Sequence, residues 1–182
     1  MLPFDTVYGL AADPHTEEPT RRLYELKGRE EKQPTALVAA SVAALLDCLP
    51  ELPDAARALL PGPLTLVVPN PARRFRWLTG RNPDAIGIRV PELRGPTRDV
   101  LERVGPVVAT SANAPGGRDP RRLDDVPALI RMGAGAVVDH GELPGVASTV
   151  IDLTGVEPRI LREGAVPAAE ALKRLAAAVR SS

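Results

Sequence analysis

Pro61-Gly62-Pro63-Leu64-Thr65-Leu66-Val67-Val68-Pro69 reads as a tight turn followed by a short buried strand. Gly62 between two prolines sets the turn, and the aliphatic run stops at a third proline, which cannot extend a central strand. Runs of the same kind recur on both sides. Thr35–Ala40 (TALVAA) precedes it, and Ala85–Val90 (AIGIRV), Pro106–Thr110 (PVVAT), Gly135–Asp139 (GAVVD), Ser148–Leu153 (STVIDL) and Arg159–Leu161 follow. Short β-branched runs bounded by Gly and Pro predict strands buried on both faces.

Helical periodicity fills the intervals. Glu17–Lys27 puts Leu23 and Leu26 on one face, and Val42–Leu49, Asp54–Leu60, Thr97–Arg103, Leu123–Arg131 and Ala168–Val179 follow the same spacing. Pro53 and Pro167 sit just ahead of two of these segments, where proline suits a helix start. The alternation predicts an α/β domain, a mixed sheet flanked by helices. Asn70–Arg81, polar and Arg-rich, reads as a mobile loop, and Ala114–Arg122 (APGGRDPRR) as another. The chain opens on Met1-Leu2-Pro3 and enters a motif-like stretch at once, which leaves two residues too few to build a strand. Either the sheet does without an initial strand, or the start is truncated.

Composition narrows the function. The 182 residues suit one compact domain. Twenty-three basic side chains balance 23 acidic ones, against the basic excess of a protein that wraps nucleic acid. The aromatics are Phe4, Tyr8, Tyr24, Phe75 and Trp77, too few for a base-stacking platform. Cys48, the single cysteine, lies in an apolar helical pattern, and one Cys with His15 and His140 cannot build a zinc cluster. No apolar run is long enough to span a bilayer, so a reduced cytoplasm is the expected setting and no membrane partner is expected.

Chemistry concentrates where polar residues stand at turns and strand ends. Lys27 and Arg29 end a helix and enter a loop; the helix dipole alone favours cations there, and a point charge beside a planar fork also makes a phosphate clamp. Thr110-Ser111-Ala112-Asn113 follows an apolar strand; Ser and Asn there either cap the turn or orient a nucleotide at the carboxyl edge of a sheet. Ser148-Thr149 opens a strand after the flexible Pro144–Ala147, and Arg89 and Arg162 end strand-like runs. Neither GxxxxGK[ST] nor GxGxxG is present, so any nucleotide must be held by scattered side chains.

Taken in order, FDTVYGL, LKGR, PGPLTLVV, IGIRVP, TSAN, STVIDL and ILREGAV resemble the YrdC-like family of threonylcarbamoyl-AMP synthases, from Pro3 to about Val166. The resemblance implies a twisted mixed α/β sheet with a deep, positively lined central cavity. It implies a reaction in which L-threonine, bicarbonate and ATP give threonylcarbamoyl-AMP and pyrophosphate, with Mg2+ bridging the phosphates. A tRNA-modifying threonylcarbamoyltransferase complex would then use the product. Lys27, Arg29, Ser111 and Asn113 match the set associated with activity; with Ser148 and Arg162 they would bind ATP, and Thr6, Tyr8, Arg89 and Thr110 would hold threonine. Residues 1–182 resemble the single-domain branch, without the strand and helix that usually precede the first motif. Members usually read Pro-Thr-Asp/Glu-Thr where this chain has Pro3-Phe4-Asp5-Thr6. The competing reading is an RNA-binding module of the same fold without catalysis, with direct tRNA contact left open. The carbamoyl-transferring domain of hydrogenase maturation factors is a further relative, but its zinc-binding cysteines have no counterpart here.

Overall fold

The structure is a computed structural model that describes residues 1–93 and 95–180. Eight strands form one mixed sheet. In chain order they are β1 (Leu2–Pro3), β2 (Tyr8–Ala12), β3 (Ala36–Val38), β4 (Leu64–Pro69), β5 (Ala85–Arg89), β6 (Val107–Ser111), β7 (Thr149–Asp152) and β8 (Arg159–Arg162). Across the sheet the order is β1-β2-β6-β3-β5-β4-β7-β8. The β3–β5 and β4–β7 pairs are parallel and the remaining pairs antiparallel.

Six helices complete the fold: α1 (Glu17–Lys27), α2 (Val42–Cys48), α3 (Asp54–Leu59), α4 (Pro96–Val104), α5 (Ala128–Gly133) and α6 (Ala168–Arg180). One sheet face is covered by α1, α2, α3, α5 and α6. Leu37, Leu64, Leu66, Ile86, Ile88 and Ile151 pack there against Leu45, Leu59 and Leu175, while Tyr8, Leu10 and Val108 meet Leu23, Tyr24 and Ile130. The other face is covered at one end by α4, whose Leu101 packs with Leu2, Phe4, Val38 and Val107. Beyond α4 it stays open.

That openness shows in β4, where Leu64, Leu66 and Val68 are buried and Thr65 and Val67 are only partly so. Burial on both faces, expected from the aliphatic run, is therefore corrected for this strand: a cavity takes the place of a second helical layer. Most other expectations match within a residue or two. Gly135–Asp139 forms no strand, although the Val138 amide within it donates to Met1 O at 3.0 Å. Leu123–Arg131 is not one helix, because Pro127 separates a 3-10 turn at Leu123–Asp125 from α5. Two residues do suffice for an edge strand: Leu2 pairs with Gly9 and Pro3 with Tyr8. Asn70–Arg81 is tied down rather than loose, since Asn70 donates to the carbonyls of Arg74 and Pro83 and accepts from the Arg74 amide, and Leu78 is wholly buried. Among the described residues no helix is long and apolar enough to cross a membrane.

Candidate active site

A cavity of about 460 Å³ opens on the uncovered face. Its floor is set by strand parity. Adjacent strands pair Ala11 with Ala109, Ala109 with Ala36, Ala36 with Gly87, Gly87 with Val67 and Val67 with Asp152. From Ala11 to Gly87 the row carries only small side chains, and the alternate residues Ile86 and Ile88 point into the core. A hollow forms because Ala109, Ala36 and Gly87, side by side on the lining, carry almost no side-chain volume.

Cations are delivered to the rim by helix and strand ends. Gly28 ends α1 in the left-handed conformation (φ 66°), with its amide bonded to Glu25 O and that of Arg29 to Tyr24 O. The reversal turns Arg29 into the cavity. There Nη1 donates to Thr110 Oγ1 at 3.1 Å, Nη2 donates to Pro34 O, and Nε is buried without a protein partner. Arg89 ends β5. It donates to the Asp5 carboxylate and, at 2.8 Å, to Thr6 Oγ1, and its Nε is likewise buried and unpartnered. Arg162 reaches the same hollow from β8, where a bulge between Val150 and Ile151 lets both Leu161 and Arg162 line it. Its guanidinium donates to Ser148 O at 2.8 and 3.2 Å and to Ser148 Oγ at 3.3 Å, and Ser148 Oγ also pairs with Thr65 Oγ1 at 2.8 Å.

The charges feel one another. Burial holds the Arg29 and Arg89 pKa values below the usual range, and Arg162 pushes both further down. Asp152 is the only carboxylate on the lining, and it is committed to Thr154 and Arg159. Burial works to raise its pKa, but those bonds hold it low. Three guanidiniums thus face a hollow with one already paired carboxylate, which is an environment for a polyanion.

Lys27 and Asn113 stand just behind the wall that Ser111 provides. Lys27 Nζ donates to Asn113 Oδ1 at 2.7 Å and Asn113 O at 2.9 Å, contacts Ser111 O, and lies 3.4 Å from Ser111 Oγ. Ser111 Oγ donates to Asn113 Oδ1 at 2.7 Å, and Asn113 Nδ2 donates to Gly117 O. Burial, then repulsion from Arg29, lowers the Lys27 pKa to about 8. The sequence candidates Arg29, Arg89, Thr110, Ser111, Ser148 and Arg162 line the cavity together. Thr6 supports Arg89 from behind. Tyr8 is elsewhere: its hydroxyl donates to Asp139 Oδ1 and Gly141 O on the helical side of the sheet, and it is wholly buried. Strand alternation requires this, because Gly9 beside it faces the cavity. Phe4, noted in the sequence as a departure from the family pattern, lines the cavity, as do Ala36 and Gly87, which the site candidates did not include and whose signal was small residues alternating with large aliphatic ones.

The family model Sua5_yciO_yrdC, described as telomere recombination, matches residues 1–164. The chain belongs to this Sua5/YciO/YrdC family. Among its members, the threonylcarbamoyl-AMP synthase of Pyrococcus abyssi is 36% identical over 176 residues, which cover 93% of this chain and 51% of that protein. The threonylcarbamoyl-AMP synthase of Escherichia coli O1:K1 / APEC is 36% identical over 149 residues, 79% of this chain and 77% of that protein. The crystal structure of P. abyssi Sua5 complexed with L-threonine superimposes with a TM-score of 0.85 at 35% identity, over 94% of this chain and 52% of that one. The chain thus spans about half the length of the archaeal family member it resembles, and the residues matched by the family model include the eight strands and Arg29, Arg89 and Arg162.

Proposed function

We propose that this chain makes threonylcarbamoyl-AMP from L-threonine, bicarbonate and ATP, releasing pyrophosphate. The observation that carries the reading is the convergence of Arg29, Arg89 and Arg162 on one hollow, two of them with an unused buried N–H. A cavity of about 460 Å³ suits a nucleotide and a small amino acid lying together.

Arg29 and Arg162, with the hydroxyls of Ser111 and Ser148, take the phosphates. Arg89, held by Asp5 and Thr6, takes the threonine carboxylate, with Thr110 beside it. The threonine amine adds to the bicarbonate carbon; a C–O bond breaks, and the departing oxygen leaves as water with a proton from the amine. The resulting carbamate oxygen then bonds to the α-phosphorus as the bond to the β-phosphate bridging oxygen breaks, and pyrophosphate leaves with that electron pair. The guanidiniums and the Lys27 ammonium behind Ser111 offset the charge on the leaving group. The carboxylates at hand are already engaged, Asp152 with Arg159 and Asp5 with Arg89, so the site works by positioning and electrostatics rather than by a general base. Among the described residues no three His, Cys, Asp or Glu side chains gather as a metal site. A magnesium ion would therefore arrive bound to the triphosphate, and no step is assigned to it. The product is a mixed anhydride, so a threonylcarbamoyltransferase complex acting on tRNA would consume it, in a reduced cytoplasm where ATP is plentiful.

Mass spectrometry of the product from purified protein, ATP, threonine and bicarbonate tests the reading. A threonylcarbamoyl adenylate that requires all three substrates supports it; ATP cleavage indifferent to threonine overturns it. A pH dependence accompanies it. Lys27 carries its proton below about 8 and loses it above, so ATP affinity is expected to weaken as pH rises through that value. In Lys27→Met, titration calorimetry should find the affinity lower and flat across the same range.

A further inference from the structure

The geometry points to Phe4 as the residue that decides which amino acid the cavity accepts, because it sets an apolar ring where reading a β-hydroxyl would need a polar group. This inference rests on the assignment of Arg89 as the carboxylate anchor. Phe4 lines the cavity, is 5% exposed, and packs with Val38 and Leu101. Val38 is the register partner of Arg89 in the parallel β3–β5 ladder, and Phe4, Val38 and Arg89 line the same cavity. Val7 extends the same apolar wall.

The ring is also wedged in place. A Cβ on Gly9 would fall 2.6 Å from Phe4 Cε2, 2.8 Å from Phe4 Cδ2 and 3.0 Å from Thr110 O. Phe4 therefore lies closely against the Gly9 backbone, and only glycine at position 9 leaves it that room. Each nearby hydroxyl already makes a hydrogen bond within the protein: Thr6 Oγ1 accepts from Arg89, Thr110 Oγ1 accepts from Arg29, and Thr35 Oγ1 donates to Ala109 O.

An amino acid whose carboxylate meets Arg89 thus places its side chain against Phe4, Val7 and Val38. A wall of this kind grips a branched side chain by shape. It separates a methyl group from an isosteric hydroxyl by no more than about a hundredfold, whereas a site that hydrogen-bonds the hydroxyl rejects its absence by about 10⁴-fold or more. Threonine and valine are such isosteres, so this cavity distinguishes them weakly.

Titration calorimetry of threonine and of valine against the purified protein tests the inference independently of turnover. A preference for threonine over valine of a hundredfold or less is expected in the natural chain and in Phe4→Leu, which keeps the wall apolar. Phe4→Thr, checked for native circular dichroism, is expected to shift the ratio toward threonine by at least fivefold. A larger preference in the natural chain, an unmoved ratio in folded Phe4→Thr, or no binding of either amino acid overturns the inference. Should Phe4→Thr fail to fold, the ratios of the natural chain and Phe4→Leu decide alone. If both amino acids bind as expected but no adenylate forms, the proposed synthesis falls while the role of Phe4 stands.

Discussion

Arg29→Ala is expected to lower threonine-dependent pyrophosphate release at least tenfold, about 1.4 kcal/mol in the barrier. Three features of the residue set that floor. Its Nε is a buried donor with no protein partner, so a phosphate oxygen satisfies it without displacing an existing bond. Its remaining nitrogens are anchored to Thr110 and Pro34, so the fork arrives already oriented. Arg162 already repels it, and that repulsion is relieved only when an anion enters between them. Lysine should restore little, because an ammonium supplies charge without the planar pair of donors. Pyrophosphate release measured alongside a thermal melt separates loss of function from loss of fold. Unchanged turnover in Arg29→Ala would remove the residue from the phosphate site.

The second large effect concerns stability. Asp5→Ala is expected to cost about 3–5 kcal/mol, the usual consequence of stranding one member of a buried ion pair. The two side chains are 9% and 12% exposed. Asp5 also accepts the Glu92 amide at 3.1 Å, so one carboxylate ties β5, the segment after it and the first motif together. Burial raises the Asp5 pKa above its ordinary value even though Arg89 works to lower it, so the pair stands in a place that penalises isolated charge. The double variant Asp5→Ala/Arg89→Met removes both charges and should recover most of the lost stability in urea unfolding, while abolishing threonine binding. A double variant no more stable than Asp5→Ala would place the cost in something other than the abandoned guanidinium.

How far the amino-acid order alone carried this picture depends on the kind of signal. β4 and β5 were legible nearly to the residue, because proline, glycine and β-branched runs mark strand limits by local sterics. β2 was not, since Tyr8–Ala12 (YGLAA) is three-fifths small residues of weak strand preference and owes its state to pairing with β6. Gly135–Asp139 failed in the opposite sense: its residues favour a strand, but its backbone bonds to a neighbouring segment are those Ala136 and Val138 make with Met1, too few for a ladder. In the site, Lys27, Ser111 and Asn113 share one hydrogen-bonded cluster although more than 80 residues separate Lys27 from the others, a nearness no local rule reports. Tyr8, by contrast, was decidable by parity once Gly9 was recognised as facing the hollow. Cooperation between Arg29, Arg89 and Arg162 depends on the strand order, and only the resemblance to a known family anticipated it.

The floor of paired Gly and Ala residues has an evolutionary corollary. Along β5 and β3, damage has opposite signs on alternate positions: Ile86, Ile88 and Leu37 fail when atoms are taken away, and Ala85, Gly87 and Ala36 fail when atoms are added. Substitution at these strands is therefore squeezed into a narrow corridor of sizes, with an upper bound on the hollow-facing residues and a lower bound on their neighbours.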